Sequence, residues 1–472
     1  MPNIEDVKLI DYLNEIESKI TCVQKEEIIH IFKELIDYYL NRGKSINEIK
    51  SLLRFDSLND FYVSDNTTRL NLDNAGLIYP LSSDDEISMY RLSATLKEKI
   101  NPLILQAALV FTIKRIPIFS SKIKKDFFWH YLEMKNNVIK VQEEKSICEN
   151  SDINGDLYRV LYRDNRISLE LFHGLTDAGG ALVFLKTLVA KYLRLLGVDS
   201  SLTSGVLNVQ EEIKEEELLN AYKEERGERN NKLLLSLPSL HIDGTVLKVD
   251  AVDICQFEID SNKLKSIASS YGGTVTAYIL SIMFIASRDA MSKLDGKLNI
   301  QVPVNMRKYK NESTLRNYSM YFGVSLDMNE EMSIEKLVKQ IDKQIKEKGS
   351  EKEMNKMISS SNRFISLSNH IPLFIKKPLV SLAYKRFSGK AYGNNLSNLG
   401  VIEVPEELKK EIIGFDFVFK PEAQNKIVSS LVTYNGKTKF SIIKRIKEET
   451  YENKIFELLN IDELEVKRIF VK

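Results

Sequence analysis

The chain has little cysteine, little histidine and no excess of either charge. Three cysteines, Cys22, Cys148 and Cys255, stand far apart in 472 residues and form no metal or redox spacing. A sparse, odd set of this kind suits a reducing compartment, and the cytoplasm is the expected location. Lys and Arg number 67 against 66 Asp and Glu, which argues against a dedicated nucleic-acid or polyanion binder. The longest apolar runs, near residues 104–113 and 275–286, are too short to cross a bilayer. The opening M-P-N-I-E-D-V-K is charged where a signal peptide would be apolar. No glycine-rich phosphate loop, metal-ligand cluster, flavin motif or internal repeat is legible. What remains is a soluble globular protein, 43% hydrophobic, with length for two domains.

One stretch organises the rest: I-S-L-E-L-F-H-G-L-T-D-A-G-G-A-L-V-F-L-K-T-L-V-A-K-Y-L-R-L-L-G, residues 167–197. Ile167, Leu169 and Leu171 alternate with Ser168, Glu170 and Phe172, which is strand spacing. Continuing the alternation puts His173 at the strand's end, on the aliphatic side. A short turn with Gly174, Gly179 and Gly180 follows, where side chains would block close approach of the backbone. Residues 181–196 then read as a mostly buried helix closed by Gly197. A neutral imidazole in such a place can take a proton from a hydroxyl or amine as it attacks a carbonyl. Asp177 reads two ways, as the carboxylate that holds the turn or as a plain helix N-cap. The spacing H-x-x-x-D alone does not separate a catalytic histidine from a hydrogen-bonded core one.

The wider wording does. H-G-L-T-D-A-G-G-A-L-V-F-L-K-T-L-V-A-K-Y-L resembles the H-x-x-x-D-G region of the chloramphenicol-acetyltransferase-like superfamily of CoA-dependent acyltransferases, which includes nonribosomal peptide condensation domains. It is most similar to bacterial alcohol acetyltransferase-like proteins, because the match continues through F-L-K-T-L and Y-L. Ala178 stands where the pattern usually has glycine, and Phe172 stands where condensation domains usually have a first histidine. The phrase L-D-N-A-G-L-I-Y-P, residues 72–80, is similar to the opening of the same group.

Along the rest of the chain, residues 1–70 read as a charged helical extension that the resemblance does not cover. Residues 71–200 form a first subdomain carrying His173, 201–250 a solvated helix and linker, and 251–472 a second subdomain. Asn101 and Pro102 open a helix to about Arg115, and Ser261 caps another. Asn435-Gly436 turns a hairpin. Three helices are expected at about 333–348, 351–366 and 372–388. His130 reads as structural, and His30, His241 and His370 have no evident role. Strand–helix alternation with hairpins in each half predicts an α/β (α+β) protein of two mixed-sheet sandwiches. The resemblance adds a central tunnel between them, with the histidine midway.

The resemblance also implies the remaining site. V-N-M-R-K-Y resembles a P-V-N-L-R phrase whose arginine pairs with the motif aspartate. Arg307 is therefore the expected partner of Asp177, with Arg316 as the alternative and a surface role for Arg307 as the plain reading. S-N-L-G, residues 397–400, resembles a strand near the tunnel, where Ser397 or Asn398 would donate to the oxyanion; the same pair is ordinary turn chemistry. Acyl-CoA would enter as co-substrate, with no bound cofactor, and a small alcohol or amine would be the acceptor. A carrier protein as donor and a non-catalytic scaffold are the alternatives.

Overall fold

The computed structural model describes residues 4–20, 24–54, 68–82, 88–134, 138–145, 155–224, 238–248, 251–310, 312–384, 386, 389–421, 425–462 and 464–471. Cys22, Cys148 and most of the charge run after Lys223 lie outside them.

Three helices open the chain: α1 (Ile4–Lys19), α2 (Lys25–Leu40) and α3 (Ile46–Leu53). Ser45 starts α3 with a capping box, its hydroxyl accepting from Glu48 N while the Glu48 carboxylate accepts from Ser45 N. Next come β1 (Thr68–Asn71), the single turn α4 (Tyr79–Ser82), β2 (Met89–Leu96) and α5 (Pro102–Arg115). Asn101 caps α5, accepting from Leu103 N and Ile104 N, with Pro102 in the first turn. The half closes with β3 (Ser121–Lys125), β4 (His130–Met134), β5 (Gln142–Glu143), β6 (Tyr158–Arg163), β7 (Arg166–Phe172) and α6 (Ala178–Leu195).

The second half begins with β8 (Asp253–Asp260), α7 (Ser261–Ser270), α8 (Val275–Asp289), β9 (Lys297–Asn305) and β10 (Ser319–Asp327). Asp260, not Ser261, caps α7, because the helix begins already at Ser261 and the Asp260 carboxylate reaches Asn262 N and Lys263 N. Three helices follow, α9 (Ile334–Lys348), α10 (Glu351–Ser368) and α11 (Leu373–Ala383), close to the expected spans. The chain ends with β11 (Asn394–Val401), β12 (Ile412–Phe419), β13 (Ile427–Tyr434), β14 (Lys437–Lys444), α12 (Thr450–Ile461) and β15 (Lys467–Val471). Asn435 and Gly436 both take positive φ, 45° and 76°, as a two-residue hairpin turn requires.

Two large mixed sheets result, in the α/β arrangement expected. One runs β10-β9-β11-β13-β14-β8-β15, the other β12-β2-β7-β6-β5, and β1-β4-β3 forms a small third. In the five-stranded sheet β7 is central, so both its faces are buried. Its two fully buried polar side chains are paired internally: Glu170 with Arg91 and Arg159, and Ser168 with Ser93.

The expected boundaries need three corrections. Strand β12 lies in the range 251–472 yet pairs antiparallel with β2, burying Phe415 and Phe417 in the N-terminal core and covering an edge that would otherwise be open. Residues 1–70 are no appendage. Phe32 is fully buried and meets Phe111 of α5 edge to face at 5.6 Å, and Tyr39 donates its hydroxyl to Leu195 O. The limit at 70 also cuts β1. Finally, the described part of 201–250 holds two short 3-10 turns instead of a solvated helix, because the Glu217 carboxylate is drawn inward by the buried guanidinium of Arg115 at 2.6 and 2.7 Å.

Candidate active site

His173 leaves the end of β7 with its backbone N–H donated to Ser88 O at 2.9 Å. The ring is clamped by aromatics. Tyr79 of α4 stacks on it at 4.7 Å between centroids, and Tyr90 of β2 tilts against it at 5.1 Å. Nδ1 is buried without a hydrogen bond of full geometry, while the residue as a whole is only half-buried, so the ring's open edge is the Nε2 side. Burial holds the imidazole below its ordinary 6.5, against the opposing pull of its own carbonyl, the Asp177 charge, the Asn317 side chain and Asp73. The ring is therefore neutral at pH 7, as a proton acceptor must be.

The Asp177 carboxylate does three jobs. It caps α6 by accepting from Gly180 N at 3.1 Å. It accepts from Tyr318 N at 2.7 Å, and both its oxygens accept from Arg307 Nη1, at 3.0 and 2.9 Å. Burial alone would raise this carboxyl, but Arg307, Tyr318 and Gly180 outweigh it and hold it below the usual carboxylate range. Arg307 is in turn fixed by donating Nε to Thr314 O at 3.0 Å and Nη2 to Arg316 O. The capping and the arginine-pairing readings of Asp177 are thus both true of one side chain.

The turn glycines stand at close approaches. A Cβ on Gly180 would lie 2.2 Å from Leu315 O, and one on Gly179 2.8 Å from Arg307 Nη1. At Gly174 it would strike the Phe172 ring at 2.3 Å. Ala178, by contrast, sits in the first helical turn with its methyl against the N-terminal core.

Four neighbours of His173 carry no role in the sequence reading. Asp73, in the phrase L-D-N-A-G, is fully buried and accepts from Gly76 N at 2.7 Å and from Asn317 N and Nδ2, both at 3.2 Å. Burial pushes its carboxyl above the usual range, although Arg316 and these donors oppose the shift. A Cβ on Gly76 would lie 2.8 Å from Gly174 O, so this segment is pressed against the histidine turn. Arg316, the alternative partner for Asp177, instead faces Asp73 at 3.7 Å and donates to Leu218 O at 3.3 Å. Tyr90 donates its hydroxyl to Thr176 O at 2.9 Å, and burial together with the Asp177 charge keeps it a neutral phenol. Asp73 and Tyr79 belong to the quoted phrase and could have been found there; Tyr90 and Asn317 carry no local signal.

The remaining candidates lie elsewhere. Asn398 is exposed at a break in register between β11 and β13, donating to Thr276 Oγ1 at 3.1 Å and accepting from Gly400 N at 2.8 Å. Among the described residues, neither it nor half-buried Ser397 hydrogen-bonds to His173. His30 is exposed beside Glu34 at 3.4 Å, His370 sits in the exposed turn between α10 and α11, and His130 is buried in β4. Cys255 is buried and its sulfur accepts from Arg468 Nε at 3.3 Å.

No family model matches the chain, and no curated protein does. Solved structures do. Polyketide synthase associated protein 5 from Mycobacterium tuberculosis superposes with a TM-score of 0.55 at 12% identity, over 83% of this chain and 96% of that one. Trichothecene 15-O-acetyltransferase from Fusarium sporotrichioides gives 0.56 at 11% identity, over 85% and 96%. The epimerization domain from the third module of tyrocidine synthetase B gives 0.55 at 12% identity, over 84% and 97%. At such identities the likeness is one of fold, and the chain has the chloramphenicol-acetyltransferase-like, condensation-domain fold across most of its length.

Proposed function

We infer that the protein transfers an acyl group from a thioester, acyl-CoA in the simplest case, to a hydroxyl or amine. The observation that carries this reading is the setting of His173: clamped between two tyrosines, Nδ1 sealed and the opposite edge open, with burial pushing its pKa down. In the proposed reaction Nε2 takes the acceptor's proton as its oxygen or nitrogen attacks the thioester carbonyl. The tetrahedral intermediate collapses with cleavage of the C–S bond, and the imidazolium returns the proton to the departing thiolate. No covalent enzyme intermediate forms and no bound cofactor is needed. Asp177 faces Arg307 and not the ring, so its proposed role is to hold the turn and join the two halves. Ser397 keeps the proposed role of oxyanion donor, since the Asn398 amide is committed to Thr276.

Purified protein mixed with acetyl-CoA or longer acyl-CoAs and a panel of alcohols and amines tests the reading by release of free thiol. Release should depend on acceptor, saturate in both substrates, vanish in His173→Ala, and leave no acylated protein by mass spectrometry. Release only from a phosphopantetheine-carrier thioester would make a carrier protein the donor. No release with any donor, and no thermal shift with CoA, would overturn the enzyme in favour of a scaffold.

A further inference from the structure

Helix α11 is built inside out. Its inward side is taken by Leu373 and by Lys376, which is buried over the Trp129 ring with Nζ donating to Phe128 O at 2.8 Å. Its outward face is apolar: Phe374 is 71% exposed, Leu382 67% and Leu379 58%, with Ile375 beside them. These positions recur every three to five residues, so they form one stripe along the helix. Phe364 and Leu367 at the end of α10 are also exposed, as is Phe127, 61% exposed at the tip between β3 and β4. That tip is tied to α11 by Leu373 N donating to Phe127 O at 2.8 Å. A contiguous apolar surface of this kind is uncommon on a soluble monomer and marks a docking face.

The charge around it says what docks. From Met354 to Ile402 the sequence holds no Asp or Glu, although a chain with 66 acids in 472 residues would place about seven in such a span. Apart from inward-facing Lys376 and Lys356, which pairs with Glu353, the same span carries Arg363, Lys377, Lys385, Arg386 and Lys390. An exposed apolar stripe within a wholly cationic segment is the composition of an interfacial helix on anionic lipid. No single described helix is long and apolar enough to span a membrane. We propose that α11, with the end of α10 and the Phe127 tip, docks the protein on an anionic bilayer. Helix α11 packs against α4, whose Tyr79 stacks on His173. The docked bilayer would therefore be separated from the candidate site by α11 and α4, and, on the acyl-transfer reading, lipidic acceptors or acyl chains are the substrates it would serve.

Flotation of the full chain with vesicles tests this. Wild-type protein should rise with phosphatidylcholine vesicles containing about a third phosphatidylglycerol, and much less with phosphatidylcholine alone or at about 0.5 M salt. Phe374→Ser/Leu379→Ser/Leu382→Ser, all at exposed positions, should bind about tenfold more weakly with an unchanged melting curve. If that variant fails to fold, Leu382→Gln alone and the charge reversal Lys377→Glu/Arg386→Glu make the same comparison. His173→Ala should float like wild type, so docking and acyl transfer succeed or fail separately. Folded wild-type protein that floats with neither vesicle, or folded apolar variants that float unchanged, would overturn the proposal. Self-association lost in the triple variant without flotation would give the face to a second copy. Binding to an acidic carrier protein without flotation would give it to that partner.

Discussion

The basicity of His173 is set by burial, and burial pushes it down. Because the folded value lies below the ordinary 6.5, the ring stays neutral to more acid pH than a free imidazole. The plateau in kcat/KM should therefore extend below pH 6.5, falling only once the ring protonates; an apparent pKa at or above 6.5 would show that burial does not depress the ring. His173→Ala should cost about a hundredfold or more in kcat with little change in melting. Arg307→Ala strands a buried carboxylate and should destabilise by about 3–5 kcal/mol. Adding Asp177→Asn should recover part of that loss, a coupling of about 1–3 kcal/mol in a double-mutant cycle of denaturant unfolding. Strict additivity would mean that the pair contributes nothing jointly. His173, Asp177 and Arg307 were legible because each stands in a contiguous phrase. Asp73 and Asn317 meet across 244 positions, and no local pattern records such a contact.

Helices α1–α3 show how the same limit acts on elements. The helical repeat is readable in α1 and α2 and not in the short α3, and nothing local says what the apolar stripe covers, which is α5 and α6. Deleting residues 1–54 should therefore yield insoluble protein, and Phe32→Ala alone should cost about 3–5 kcal/mol in denaturant unfolding. A further prediction concerns Lys191, which is buried on α6 with Nζ 3.7 Å from the Phe111 ring centroid and donating to Leu53 O at 3.2 Å. Burial, with Arg194 and Arg54 adding to it, lowers its ammonium from 10.5 to about 7. Between those values the unfolded chain binds the proton and the folded one does not, so folding stability from this group rises with pH across that window. Wild type should gain on Lys191→Met as pH climbs from about 7 to 10; parallel stability curves would show that the lysine titrates normally. Strand β12 is absent from the expected elements, and even a recognised apolar run does not name its partner strand.

At the scale of the whole molecule, the two halves are joined through structure on both sides of the candidate site. Strand β12 completes the N-terminal sheet, Arg307 reaches Asp177, and Asn317 reaches Asp73. A fourth tie lies at Trp129, the single tryptophan. Its indole Nε1 donates to Asn369 Oδ1 at 2.9 Å, and the Lys376 ammonium lies over its ring at 3.0 Å from the centroid. Asn369 and Lys376 belong to the second half, so the protein carries a natural fluorescent reporter at the junction. Interfaces between ordinary domains are small and polar, and such domains come apart independently. Here a shared strand and two buried carboxylate networks cross the boundary, so separation would expose the edge of β2 and strand Asp177. Unfolding should therefore be one event, with tryptophan fluorescence and far-UV circular dichroism giving the same midpoint in a denaturant titration. A fluorescence change that precedes the loss of secondary structure would show that α10 and α11 detach first. The α11 face would then be a hinged attachment, and His173 would lose its link to whatever that face binds.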